Sequence, residues 1–232
     1  MALQKGDYIL LDYTIIVKDE NKVVQTTSED IAREAGIYSP DDTYEPRLII
    51  LGETKLLEPV EEALMKADEG QEIEVEVPPE KGFGQRDPNK VKVISIREFY
   101  RYGKLPKVGD IVEFENQRAR VVSVSSGRVV LDFNHPLAGK TLIVKAKIVR
   151  KIESDEEKIK HIIKNYLPRI DLDKVQVTLS DDKKIVTIKL PLETLLIDRI
   201  GLVKTDLAND LGRKFNLDKV IFIDEIELRR SS

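Results

Sequence analysis

Asn134-His135-Pro136-Leu137-Ala138-Gly139 is the stretch on which the fold turns. Taken alone it is turn chemistry: proline fixes φ, glycine tolerates positive φ, and asparagine favours tight bends. Its place in the chain gives it more meaning. A second glycine-rich string, Lys81-Gly82-Phe83-Gly84, lies upstream, and residues 85–132 separate the two. Neither string is a phosphate loop, because no GxxxxGK[ST] or GxGxxG pattern occurs.

Working outward from these strings, the first strand signal is Tyr8 to Val17, rich in β-branched and aromatic residues. A hairpin turn at Asp19 to Lys22 leads into Val23-Val24. Thr27 to Pro46 reads as a long polar flap with one helical turn at Glu29 to Ala35. Arg47 to Leu51 is a further strand. Leu56, Leu57, Val60, Ala63 and Leu64 then recur at helical spacing, with Pro59 tolerated in the first turn. Glu72 to Val77 alternates acidic and apolar residues with period two, which predicts a strand whose Glu72, Glu74 and Glu76 face water. Thr141 to Ile152 is expected as the last strand of this sheet, with Leu142, Val144, Ala146 and Ile148 on one face.

Residues 85–132 carry their own strand and turn signals. Val91 to Ile96, Ile111 to Phe114, Arg120 to Val124 and Arg128 to Leu131 read as extended, with turns at Val108-Gly109-Asp110 and Ser126-Gly127. This predicts a small β-rich unit inserted into the first one. Its aromatic residues Phe99, Tyr100 and Tyr102 fit either the unit's own core or an exposed contact surface. A third unit begins at Ser154-Asp155-Glu156-Glu157, a capping box. Ile159, Ile162, Ile163, Tyr166 and Leu167 mark a helix face before Pro168, on a helix where His161 sits among lysines and is expected in solvent. Strands at Val175 to Leu179 and Ile185 to Leu190, a helix carrying Ile200 to Phe215 and a strand at Val220 to Leu228 complete an αββαβ pattern.

Composition narrows the chemistry. The chain has 232 residues and is 41% hydrophobic, enough for one large domain or two to three small ones with their own cores. Its 38 basic and 42 acidic side chains nearly cancel, to a net charge of -4, which gives no global drive toward nucleic acid or an anionic membrane. With no Cys and only His135 and His161, disulfides, thiol nucleophiles, zinc-thiolate centres and His-rich metal sites are excluded. No cofactor is expected. No apolar run approaches the ~20 residues of a membrane span, and the first residues do not form a signal peptide, so the cytoplasm is the expected location.

The ordered set Leu11-Asp12-Tyr13-Thr14, Leu51-Gly52, Lys81-Gly82-Phe83-Gly84 and Asn134 to Gly139 resembles the FKBP immunophilins. A module inserted just before the last of these is similar to the SlyD-like branch, and the extra C-terminal unit to its long archaeal form. The resemblance implies an α+β fold: an antiparallel half-barrel sheet wrapped on a short helix (residues 1–84 and 133–153), an insert-in-flap chaperone domain (85–132) and an αββαβ domain (154–232). It implies peptidyl-prolyl isomerisation of unfolded or proline-containing polypeptides, with no nucleic acid or membrane as partner. The family pocket falls on Tyr13, Val24, Gln25, Ile49, Leu56, Leu57, Val60, Phe83, His135, Leu137 and Val144. Tyr13, Leu57, Phe83 and His135 stand nearest the chemistry, and the Leu57 backbone N–H is the expected donor to the substrate carbonyl. The chain departs from the family in Gln25, where Asp is common, in Phe83, where Tyr is common, and in Val60, which is smaller than the usual aromatic floor. A holdase with a vestigial pocket, and a homodimer or assembly factor built on the C-terminal unit, stay open as alternatives.

Overall fold

The computed structural model describes residues 3–100 and 105–226; Tyr102 and the side chain of Tyr100 fall outside what is described. Strand β1 (Tyr8–Val17) turns through Asn21, at φ 48°, into β2 (Lys22–Thr26). Helix α1 (Glu29–Glu34) follows, capped by the Ser28 hydroxyl, then β3 (Arg47–Ile50), helix α2 (Glu58–Leu64) and β4 (Glu72–Val77). The insert comprises β5 (Val91–Ser95), α3 (Ile96–Tyr100), β6 (Ile111–Phe114), β7 (Gln117–Ser125) and β8 (Arg128–Asp132). The chain then returns through β9 (Leu142–Ile152) to the first sheet. Helix α4 (Asp155–Tyr166), β10 (Gln176–Leu179), β11 (Ile185–Lys189), α5 (Ile200–Phe215) and β12 (Lys219–Ile223) complete it. The last strand stops short of the expected Leu228, since residues 224–226 are already irregular.

The first sheet is antiparallel in the order β2-β1-β9-β4, with β3 on the other half of β1. Its concave face lies on α2, burying Ile9, Leu11, Val17, Ile49, Leu51, Val60, Leu64, Leu142, Val144 and Ile148 in one core. Glu72, Glu74 and Glu76 face outward, as their period requires. They make surface ion pairs with Lys147, Lys145 and Lys18 at 3.7, 3.4 and 2.6 Å.

A bulge in β9 lets one strand serve two cores. Leu11 pairs with Ile148 but Leu10 pairs with Arg150, which leaves Val149 as the extra residue. One added residue moves every later side chain to the opposite face. Ile148 therefore points at α2, while Ile152 joins Tyr8 and Leu10 on the convex face.

There Tyr8, Leu10, Leu48, Ile50 and Ile152 share a core with Ile159, Ile162 and Ile163 of α4 and with Leu207 and Leu211 of α5. The C-terminal unit does show the αββαβ order, with β10 and β12 as the edges of its sheet. It is nonetheless fused to the isomerase sheet by this apolar seam. Two local expectations change here. Ser154 caps α4, but Glu157 pairs with Arg150 of β9 rather than closing a capping box. His161 is half-buried rather than solvated, and its burial holds the imidazole below its ordinary pKa, against Glu157 and Glu45, which favour the charged form.

The insert sheet runs β5-β8-β7-β6. Its hairpin turns, Ser126-Gly127 and Glu115-Asn116, place both residues at positive φ, the geometry that matches the strand twist. One face packs on Phe99, Phe114, Ala119, Val121, Val129 and Leu131, with Phe99 and Phe114 rings 5.9 Å apart. Phe99 is thus core and not contact surface. The other face leaves Val93, Ile111 and Val122 exposed, beside Val108 in the turn before β6.

Candidate active site

Tyr13 stands on the concave side of β1, its N–H held by the Thr27 hydroxyl at 2.9 Å and its carbonyl accepting the Thr27 N–H at 3.0 Å. Thr27 is buried and donates onward to Asp12 at 2.9 Å, so the root of Tyr13 is fixed from both sides. The phenol is half-buried, and burial raises its pKa against the opposing pull of Arg47. At its tip the Gln25 amide donates to the Tyr13 hydroxyl oxygen at 2.8 Å. This occupies a lone pair and leaves the phenolic proton free to point into the groove.

The floor and walls are apolar. Ile49, Val60 and Val144 are buried, and Val24, Leu56, Leu57 and Leu137 pack on them half-exposed, together with Tyr13. Leu57 is the N-cap of α2, in extended conformation. Its carbonyl accepts from Val60 and Glu61, but its own N–H has no acceptor among the described residues. That is the state required of a donor reserved for a ligand carbonyl.

The two glycine-containing strings meet at the rim. The Gly139 N–H donates to the Gly84 carbonyl at 2.8 Å. Gly139 sits at φ 74°, a backbone that favours glycine, and a Cβ there would lie a tight 3.3 Å from the Arg86 Cβ. Phe83 and His135 stack in parallel, with centroids 4.2 Å apart and an interplanar angle of 2°. The His135 Nδ1 accepts the Leu137 N–H at 3.2 Å, which ties the ring to its own loop. Eight of the eleven residues expected from the sequence pack in this apolar cluster and Gln25 is bonded to Tyr13, whereas Phe83 and His135 stack on each other at the exposed surface and reach the cluster through the Leu137 N–H bond to His135.

The strands that cross from groove to insert hold contacts the sequence reading missed. Asn134 accepts from the Asp87 N–H and donates to the Asp87 carbonyl, each at 2.9 Å, imitating a strand pair with one side chain. Asp132 accepts from the Asn134 N–H at 2.9 Å and pairs with Arg86 at 2.8 Å. Burial would raise the Asp132 carboxyl, but these Asn134 and Arg86 contacts together hold it below the ordinary value. An Asp-x-Asn signal at 132–134, close to a strand end, was the available clue. Beyond it, a crevice of about 660 Å³ opens between the bare insert face and the outer side of the His135 loop. Another, of about 790 Å³, lies behind the sheet between β4 and the flap.

No group of His, Asp or Glu among the described residues is arranged to hold a metal ion. Among them too, no helix is long and apolar enough to cross a membrane.

Three family models match the chain: FKBP-type peptidyl-prolyl cis-trans isomerase over residues 1–99, FKBP26, IF domain over 92–137 and FKBP26_C-terminal over 155–227. A short-type peptidyl-prolyl cis-trans isomerase of Methanocaldococcus jannaschii is 37% identical over 155 residues, 66% of this chain and 98% of the relative. An FKBP-type 16 kDa isomerase of Escherichia coli is 27% identical over 146 residues, covering 61% and 88%. The SlyD isomerase of Helicobacter pylori is 29% identical over 119 residues, covering 50% and 64%. The chain belongs to the FKBP-type peptidyl-prolyl cis-trans isomerase family, as a SlyD-like member with an inserted and a C-terminal unit.

Proposed function

We propose that this isomerase turns X-Pro bonds in the groove of Tyr13, Leu57, Phe83 and His135, and that the insert captures non-native polypeptide and feeds it there. The bond to be turned has a barrier of about 18–20 kcal/mol, set by amide resonance. The twisted amide is less dipolar than the planar one, so an apolar, water-poor groove favours it relative to water. Ile49, Val60, Val144 and the aromatic Phe83 supply that medium. The unpartnered Leu57 N–H and the free proton of Tyr13 are the donors that keep the carbonyl satisfied while the bond turns. No covalent step is required.

The observation that carries the coupling is the place of His135. Its ring stacks on Phe83 and takes the N–H of the groove residue Leu137, and the same residue lines the crevice whose far wall is the bare insert face. Val108, Ile111 and Val122 on that wall are exposed apolar residues, a surface that suits unfolded chains. Proline-peptide isomerisation and proline-limited refolding, measured with residues 85–132 replaced by a short Gly linker, test this. Short-peptide turnover should survive and refolding catalysis should collapse; loss of both, or of neither, defeats the coupling.

A second surface supports self-association through the C-terminal unit. Leu192, Leu195, Leu196, Ile197 and Leu202 are all exposed, Leu196 by 88%, and β12 leaves a sheet edge open. Sedimentation of Leu196→Glu against the parent decides it: a dimeric parent with a monomeric variant supports the surface, and a monomeric mass for both rejects the dimer. A cysteine-free folding enzyme of this kind suits the cytoplasm.

A further inference from the structure

The crevice beside His135 carries a charge pattern as well as an apolar one. Arg86, Arg118, Arg120 and Lys140 line it against Asp132 as its one carboxylate, on a chain whose net charge is -4. Two of the cations are already engaged at the surface: Arg86 with Asp132 at 2.8 Å, and Lys140 with Glu20 at 2.5 Å. Arg118 and Arg120 make no ion pair among the described residues. Glu113 stands across the ladder from Arg118, and Asp132 across from Arg120, yet neither closes on its neighbour. Glu20, which also feels the charge of Arg120, is held by Lys140.

The free guanidinium groups are interleaved with the exposed apolar row. Arg120 is the register partner of Ile111, which is 62% exposed, and Val122 follows on the same open side. An extended chain laid on this face meets an apolar contact and a cation within a residue or two of each other. Guanidinium forks bind carboxylates in two-point geometry and are more weakly hydrated than an ammonium.

We propose that this crevice selects client segments in which Asp or Glu alternates with apolar residues, so that prolines joined to such segments are isomerised in preference to those joined to basic ones. The selection rests on the capture function proposed above. Surface pairs such as Lys140 with Glu20 are weak enough to be exchanged for a client carboxylate.

Peptides sharing one X-Pro core, with a distal segment of Glu/Leu, Gln/Leu or Lys/Leu repeats, test this against the full chain and against R118E/R120E. Both arginines are exposed strand residues outside the groove, so the core peptide without a distal segment serves as the control for intact catalysis. The Glu/Leu peptide should exceed the Lys/Leu peptide by about fivefold in kcat/KM, the size set by one or two exposed ion pairs. The preference should fade at high salt and invert in R118E/R120E. If all three long peptides outperform the core equally, capture stands and charge selection falls. If none outperforms the core, capture itself fails and the selection with it. A single-stranded oligonucleotide that displaces the Glu/Leu peptide at equal charge would overturn the proposal in favour of phosphate binding.

Discussion

At the scale of the residue, the Tyr13–Gln25 contact is the feature that most distinguishes this groove. Tyr13 receives a bond from Gln25 and keeps its proton, whereas a carboxylate at position 25 would take that proton for itself. Tyr13→Phe should therefore lower kcat/KM on a short proline peptide by about fivefold, the worth of one neutral hydrogen bond. Gln25→Asp should lower it similarly, and the double variant should lose no more than either single one. A gain in Gln25→Asp would show that the acceptor, not the donor, is what the groove needs. Phe83→Ala removes the stack on His135 and should cost a further ~5-fold, the value of an aromatic pair. The identities of these residues were legible from their order along the chain. The direction of the Gln25 bond was not, because an amide can donate or accept and only the neighbouring oxygen decides.

At the scale of the element, the strands were legible because period-two patterns and glycine turns are local. What escaped was which face of each sheet would be covered. Phe99 looked as free to meet clients as to be buried; α3 folds it back on Phe114, and the bare side is left to Val93, Ile111 and Val122. Phe99→Ala should destabilise the insert by about 3–5 kcal/mol, as cavities in small cores do. Hydrogen exchange should report this as lost protection in β5 to β8 with β1 and β9 unchanged, and exchange that rises equally in β1 would contradict it. The Val149 bulge escaped for the same reason, since an added residue changes the face without changing the pattern before it. The Asn134 clamp on Asp87 escaped because its partner is 47 residues away.

At the scale of the whole molecule, the C-terminal unit, marked in the sequence as a third unit beginning at Ser154, shares a core with the isomerase sheet. Burial, reinforced by Glu53, Asp210 and Asp155, pushes the Tyr8 phenol up to about 12. Ending the chain after Glu153 removes α4 and α5, so the Tyr8 titration, isolated by difference against Tyr8→Phe, should fall back toward 10. A midpoint unmoved by truncation would mean the seam is not formed. Carboxylates bind this region too. Burial alone would raise Asp7, but Lys151, at 2.8 Å, and the Gln4 N–H hold it below its ordinary 3.8. Asp155 and Glu157 are held low by hydrogen bonds from Lys183 and Arg150. The folded state thus favours their ionised forms, so their contribution is complete at neutral pH and drains away as pH falls through the carboxylate range. Asp7→Asn should therefore destabilise the protein at pH 7 and make little difference near pH 2; a pH-independent loss would point to packing instead.

The coupling of groove and insert is tested most directly by one ratio: kcat/KM for a proline-limited refolding protein over kcat/KM for a short proline peptide, in the full chain and in the chain with residues 85–132 replaced by a linker. The ratio should drop by at least about tenfold on replacement while the peptide value holds, since the Tyr13, Leu57 and Phe83 groove remains. A ratio that does not move, or a peptide value that is lost along with refolding catalysis, would contradict the account.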